Sequence, residues 1–217
     1  MNMVSKSNIG KPRHRGRPGP SPNEDFREQI LNTAERLFAT QGFAATSIRE
    51  IAEDVGVNPA MVHYYFGSKM QLLRAVMDHA LEPLAGSVSA LQQGGQVDLQ
   101  DIISLLFSMA ADHPFLPQLI TREVFLPGGK MQQQFLEDFA PRLGGRLPAI
   151  LLQQQRAGRL AAGFDAGVTA LMILSLCMFP FVARPAAEQA LNIAYDDAGL
   201  QQISQHISRL LERGISA

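Results

Sequence analysis

The 217-residue sequence contains no tryptophan and only one cysteine, Cys177. A single thiol excludes an intramolecular disulfide and any metal site built from clustered cysteines. Cys177 lies in an apolar run and reads as a small buried hydrophobe, which suits a reducing, cytoplasmic setting. Histidine is scarce as well: His79, His113 and His206 stand far apart on separate elements, so no metal-ligand spacing arises and no cofactor is expected. Also missing are a phosphate-binding loop, a nucleophile elbow, a zinc-binding His-Glu pair and a dinucleotide fingerprint. An enzyme is therefore not expected. No apolar stretch follows the basic N-terminal residues, so a secretory signal is not expected either. The uncharged run 166–183, between Asp165 and Arg184, is at the lower limit of a membrane span and is interrupted by Thr169, Ser175 and Pro180. It reads as a helix buried within a bundle.

What is present is distributed unevenly. The totals of 19 basic and 20 acidic residues nearly cancel. Yet residues 1–23 hold Lys6, Lys11, Arg13, Arg15 and Arg17 and no acid, which leaves an acidic body behind a cationic arm. Pro12, Pro18, Pro20 and Pro22, with Gly16 and Gly19, predict an extended arm over 1–22. Within it RHRGRPGP looks like the core of an AT-hook, in which Arg13, Arg15 and Arg17 enter the minor groove of A·T-rich DNA. The alternative is a solvated tail.

From Asn23 onward the pattern is helical throughout, and the expected fold is all-α. Phe26, Ile30, Ala34, Leu37 and Phe38 recur at helical spacing up to Gly42. Ser47 and Glu50 form a capping box for a short second helix ending at Gly56, and Pro59 fits the first turn of a third, over about 59–65. Ser68 caps a fourth, bent or ended at Pro83. Further helices are expected over 98–111, 114–125, 130–157, 165–183, 185–195 and 198–213, the longest split near Pro141, Gly144, Gly145 and Pro148. The domains expected are an arm (1–22), a helix-turn-helix (23–67), a linking helix (68–83) and a helical domain for effector binding and dimerisation (84–217).

Ala52 is small where two helices must cross closely, Gly56 supplies a left-handed turn and Val62 packs the second helix on the first. The run TSIREIAEDVGVNPAMVHYYFGSKMQLL (46–73), preceded by ILNTAERLFATQGFAA, resembles the DNA-binding region of the TetR family of regulators, closely over about residues 26–80. AGRLAAGFDAG is similar to that family's entry into its dimerisation helices. The resemblance implies a homodimer on a palindromic double-stranded operator, phosphate contacts from Thr46 and Lys69, and a third helix whose Asn58, Ala60, Met61, His63 and Tyr64 face DNA. His63 stands where the family usually has Tyr, and Met70 where it often has Glu.

In the C-terminal half, Leu200, Ile203, Ile207 and Leu210 are spaced as an a/d seam. With Leu171, Leu174 and Met178 of the uncharged helix they are expected to form the dimer interface. Phe107, Met109, Phe125, Phe135 and Phe139, with polar His113 and Arg122, suit a pocket for a small hydrophobic effector; the alternative is plain core. The function expected is that of a cytoplasmic transcriptional regulator, a repressor released by its effector. A helical protein-interaction adaptor and an activator are the alternatives.

Overall fold

Apolar residues recurring every three to four positions, punctuated by Gly and Pro, produce helices and no strand among the described residues. The computed structural model describes residues 22–93, 98–142, 145–161 and 163–215; the arm, with Arg13, Arg15 and Arg17, lies outside them. In chain order the helices are α1 (Pro22–Thr40), α2 (Ile48–Val55), α3 (Pro59–Phe66), α4 (Lys69–Gln93), α5 (Leu99–Asp112), α6 (Leu116–Ile120), α7 (Gln132–Gln134), α8 (Leu147–Arg156), α9 (Ala166–Val182), α10 (Arg184–Ala190) and α11 (Asp197–Ile215). Two of them run on into single π-helical turns, α6 into Thr121–Phe125 and α7 into Phe135–Phe139. Such turns are rare and concentrate where a helix is put to use.

The first four helices share an apolar centre. Ile30, Ala34 and Phe38 of α1, Ile51 and Ala52 of α2, Val62 of α3 and Leu72 and Leu73 of α4 are all buried. Ser68 and Gln71 cap the start of α4 reciprocally: each side chain accepts from the other residue's backbone N–H. Of the two outcomes expected at Pro83, a bend or an end, the end does not occur. Pro83 lies inside α4 on its exposed side, where the helix tolerates the lost hydrogen bond and continues to Gln93. The boundary expected at residue 83 therefore falls within a continuous helix.

Helices α5, α8, α9 and α11 pack together to form the second half. α9 starts on an Asp165 cap, whose carboxylate accepts from the Val168 N–H at 2.8 Å. No single helix among the described residues is long and apolar enough to cross a membrane. Cys177 is fully buried in α9, and burial pushes its thiol up to about 12, so it carries no thiolate near neutral pH.

Charged groups join the two halves. Glu35 of α1 is 4% exposed, and its carboxylate accepts from His113 Nδ1, just beyond α5, at 2.9 Å. That hydrogen bond raises the His113 pKa above its ordinary value, against the opposing effect of burial. His79 of α4 meets the His113 ring edge-on at 5.5 Å, and burial, followed by the His113 charge, lowers its pKa.

The two histidines make stability depend on pH with opposite signs. His113 binds its proton more tightly folded than unfolded, so its contribution is complete below about pH 6.5 and is lost as pH rises through the folded value. His79 binds its proton less tightly folded, so its contribution is lost as pH falls below about 6.5. Thermal unfolding between pH 5.5 and 8.5 should show the wild type losing stability on the alkaline side. His113→Gln, which keeps a donor for Glu35 without titrating, should be flat there. His113→Leu should cost about 1–3 kcal/mol by leaving the Glu35 carboxylate without its partner.

Candidate functional site

The turn between α2 and α3 is fixed by three local devices. Ser47 caps α2 by accepting from the Glu50 N–H at 3.1 Å, while the Glu50 carboxylate reaches back to the Ser47 N–H. Gly56 takes φ +78°, a left-handed conformation that costs a side-chain-bearing residue about 1–2 kcal/mol. The Val57 N–H then closes onto the Ala52 carbonyl at 2.9 Å. Asn58 begins α3, its side-chain oxygen accepting from the Ala60 N–H at 2.8 Å. With Ala52 and Val62 buried at the crossing, α3 turns its other side to solvent.

That outward side carries the residues expected to read DNA. Asn58, Ala60, His63 and Tyr64 are exposed and Met61 is half-buried. Tyr64 is 84% exposed, and its ring meets Tyr65 edge-on at 5.4 Å. The His63 Nδ1–H donates to the Gly67 carbonyl at 2.6 Å, so its Nε2 edge is what remains for a contact. The Asn58 oxygen is likewise engaged, leaving its amide N–H groups to donate.

The two expected phosphate contacts fare differently. Thr46 is only 1% exposed, and its hydroxyl donates inward to the Gly42 carbonyl at 2.9 Å, which withdraws the side chain from any external partner. The exposed groups at this end of α2 are Ser47 and Arg49, which sequence reasoning passed over. The Lys69 ammonium donates to the Thr46 carbonyl at 2.6 Å and sits 4.4 Å from the centre of the Phe43 ring. It ties the start of α4 to the start of α2.

Electrostatically this half is a poor attractor of polyanions. Residues 24–66 contain three arginines against seven acids. Arg36 pairs with Asp54 at 2.7 Å, Arg49 with Glu53 at 2.8 Å, and Arg27 lies over the Phe66 ring.

A cavity of about 390 Å³ lies in the second half, between α4, α5, α6, α8 and α9. Of the residues expected to line it, Met109, Phe125 and Phe135 do so. Phe107, His113, Arg122 and Phe139 do not. Phe107 packs on Phe181 at 5.1 Å and Phe139 is buried against Phe135. His113 belongs to the Glu35 pair, and Arg122 turns to the other half of the molecule. Its guanidinium donates to the carbonyls of Thr40 at 3.2 Å and Gln41 at 2.9 Å, at the end of α1. Those carbonyls have no intrahelical partner and carry the negative end of the helix dipole, so a guanidinium suits them. Beside it the buried Glu123 carboxylate accepts from the N–H groups of Phe43 and Lys130, each at 3.2 Å. Much of the lining comes from leucines that sequence reasoning did not single out, such as Leu84 and Leu105.

On α9, Val168, Leu171, Met172, Leu176 and Phe179 form an exposed apolar stripe, with Phe179 65% exposed. Leu171 was expected there and also borders the cavity; Leu174 and Met178 are half-buried and face the cavity. The seam on α11 also points elsewhere. Ile207 is buried, Leu200 and Ile203 are half-buried, and only Leu210 is exposed, because this helix packs its apolar face on α5 of its own chain.

Residues 30–76 match the family described as bacterial regulatory proteins, tetR family, and residues 96–211 match the tetracyclin repressor-like C-terminal domain. The HTH-type transcriptional regulator BetI of Brucella anthropi is 27% identical over 154 residues, 68% of this chain and 79% of that protein. The regulator MT3513 of Mycobacterium tuberculosis is 48% identical over 60 residues, 28% of this chain and 32% of its own. The ketosteroid transcriptional regulator KstR2 of M. tuberculosis superposes with a TM-score of 0.72 at 17% identity, covering 88% of this chain and 95% of that one. A regulator from Saccharomonospora viridis, solved in complex with choline, gives 0.64 at 20% identity, covering 89% and 98%. These two likenesses establish the fold.

Tyr64 and Thr46 should separate reading from folding. Tyr64→Ala removes an exposed ring, so the unfolding free energy should change by less than about 0.5 kcal/mol. Affinity for an operator fragment selected from the organism's own DNA should fall by about 1.5–3 kcal/mol if the phenol donates to a phosphate. Thr46→Val should instead lower stability by about 1 kcal/mol through the lost buried hydrogen bond. Weakened DNA binding at unchanged stability in Thr46→Val would sink the buried assignment.

Proposed function

The chain belongs to the tetR family of bacterial regulatory proteins, a DNA-binding transcriptional regulator by descent, and we propose that it is a homodimeric repressor released from its operator by a small apolar molecule. It acts in the cytoplasm, where its DNA is, and uses binding rather than catalysis.

The observation that carries this reading is the π-helical turn Thr121–Phe125. Thr121 and Phe125 line the cavity, while Arg122 and Glu123 between them hold the end of α1 and the turn leading to α2. A ligand that shifts the first pair displaces the second. The α1–α2 turn then moves, and α2 and α3 with it. Two recognition helices must meet successive major grooves, so a change in their spacing lowers operator affinity without any loss of folding. A compact dimer over a promoter blocks transcription without contacting polymerase, which favours repression over activation.

Dimerisation is supported by the α9 stripe, whose apolar residues are exposed in a single chain. Pairing it with its two-fold copy buries it, with Leu210 of α11 at its margin. The outward residues of α3 supply the base-reading face, Lys69, Ser47 and Arg49 supply phosphate contacts, and the arm supplies the positive charge that residues 24–66 lack.

Operator titrations test the coupling. A ligand that weakens operator affinity must itself bind less tightly when operator is saturating. In Arg122→Ala the ligand should bind as before while its effect on operator affinity largely disappears. Retention of full coupling in that variant would remove the π-helical turn from the mechanism. Met172→Glu with Phe179→Glu places charge on two exposed positions of the stripe and should leave a folded monomer at micromolar concentration by light scattering. A persistent dimer would move the interface elsewhere.

A further inference from the structure

The wall of the cavity is unusual in what it omits. Among the described residues none that lines it is Asp, Glu, Lys, Arg or His. Its only polar side chains are the hydroxyls of Thr121 and Ser175. Both protons are already committed. Thr121 Oγ1 donates to the Pro117 carbonyl and Ser175 Oγ to the Leu171 carbonyl, each at 2.8 Å and each one helical turn back. What the two oxygens retain for a guest is acceptor capacity. Between the lining residues Thr121 and Phe125, the charged Arg122 and Glu123 are spent on the α1–α2 turn and on the Lys130 N–H.

From this we infer that the effector is an uncharged, mainly hydrocarbon molecule carrying a hydroxyl or N–H donor, and that carboxylates are excluded. The inference rests on the proposal that this cavity is the effector site. A carboxylate drawn inside gives up water and finds no countercharge among the described residues, a cost that hydrocarbon contacts do not offset. A hydroxyl loses little, because Thr121 or Ser175 accepts its proton. The volume of about 390 Å³ falls within the ~300–1,000 Å³ of pockets that enclose small ligands. Met109 and Met178, both on the wall, let the lining adapt to a flexible or irregular guest.

The test uses the full-length protein and three decyl-chain probes that differ only in their head group: 1-decanol, decyl methyl ether and decanoate, each kept below its aggregation threshold at pH 7.5. Binding is followed by the methyl resonances of methionine-labelled protein, with Met109 and Met178 as reporters and Met61, on α3, as the distant control. Decanol should shift both reporters, about 3- to 10-fold more tightly than the ether, which lacks the donor. Decanoate should bind at least about 100-fold more weakly than decanol. Combining Thr121→Val with Ser175→Ala should erase the preference for alcohol over ether. Decanoate shifting Met109 and Met178 at concentrations comparable to decanol would overturn the inference, and equal affinities for alcohol and ether would overturn the role of the donor. Silence of both reporters with all three probes would overturn the inference and the cavity's role together. If decanol binds there without changing operator affinity, the ligand class stands and the proposed control of DNA binding falls.

Discussion

The grip of Arg122 and Glu123 on the end of α1 is the contact on which the relation between the two halves depends. α1 stops at a glycine with φ +98°, leaving its last carbonyls aimed at the second half of the chain. The Arg122 guanidinium meets Thr40 and Gln41 while the neighbouring carboxylate takes the Phe43 N–H. A Cβ on Gly42 would lie only 2.6 Å from the guanidinium, so the absence of a side chain there is what permits the approach. One residue pair thus satisfies both the acceptors that end one helix and a donor in the turn leading to the next. The Glu35–His113 pair fixes the same seam from a second point.

Polar and apolar chemistry are partitioned sharply between this seam and the cavity beside it. Ion pairs and charge-assisted hydrogen bonds gather where the halves meet, and their geometry is directional. The cavity has no charge among its described lining residues, and its contacts are governed by shape. Thr121–Phe125 lies on the border, with its first and last side chains at the cavity and Arg122 and Glu123 between them at the seam. A π-helical turn changes the angular spacing of successive side chains, which lets so short a segment serve both.

Local devices in the fold were legible in the sequence, because each is encoded within a few residues. The Ser47–Glu50 box, the left-handed Gly56, Pro59 at the start of α3 and the buried Ala52 and Val62 all occupy the expected places. Long-range pairings were not. His113 and Arg122 looked like polar groups for a pocket because nothing near them in sequence points to Glu35 or to the end of α1, some eighty positions away. Thr46 looked exposed at a helix start, yet the turn from Gly42 draws its hydroxyl inward. The α11 seam had the right period, but periodicity gives the width of an apolar face and not its partner; Ile207 found α5 of its own chain. On α9 the run is apolar all round, so the sequence could not divide it into core, cavity wall and exposed stripe.

The persistence of α4 through Pro83 gives the molecule a lever. Leu84 and Val88 stand at the cavity and Lys69, whose ammonium reaches the start of α2, at the other end of the same continuous helix. At a rise of about 1.5 Å per residue, the arm from Leu84 to Lys69 is roughly 22 Å long. A tilt of about 5° about the cavity end therefore carries the Lys69 end through about 2 Å. Two subunits swinging in opposite senses would change the separation of their recognition helices by about 4 Å, measured against a groove repeat of roughly 34 Å. A proline that broke the rod would have absorbed that tilt at its hinge; a proline on the solvent side lets the rod transmit it.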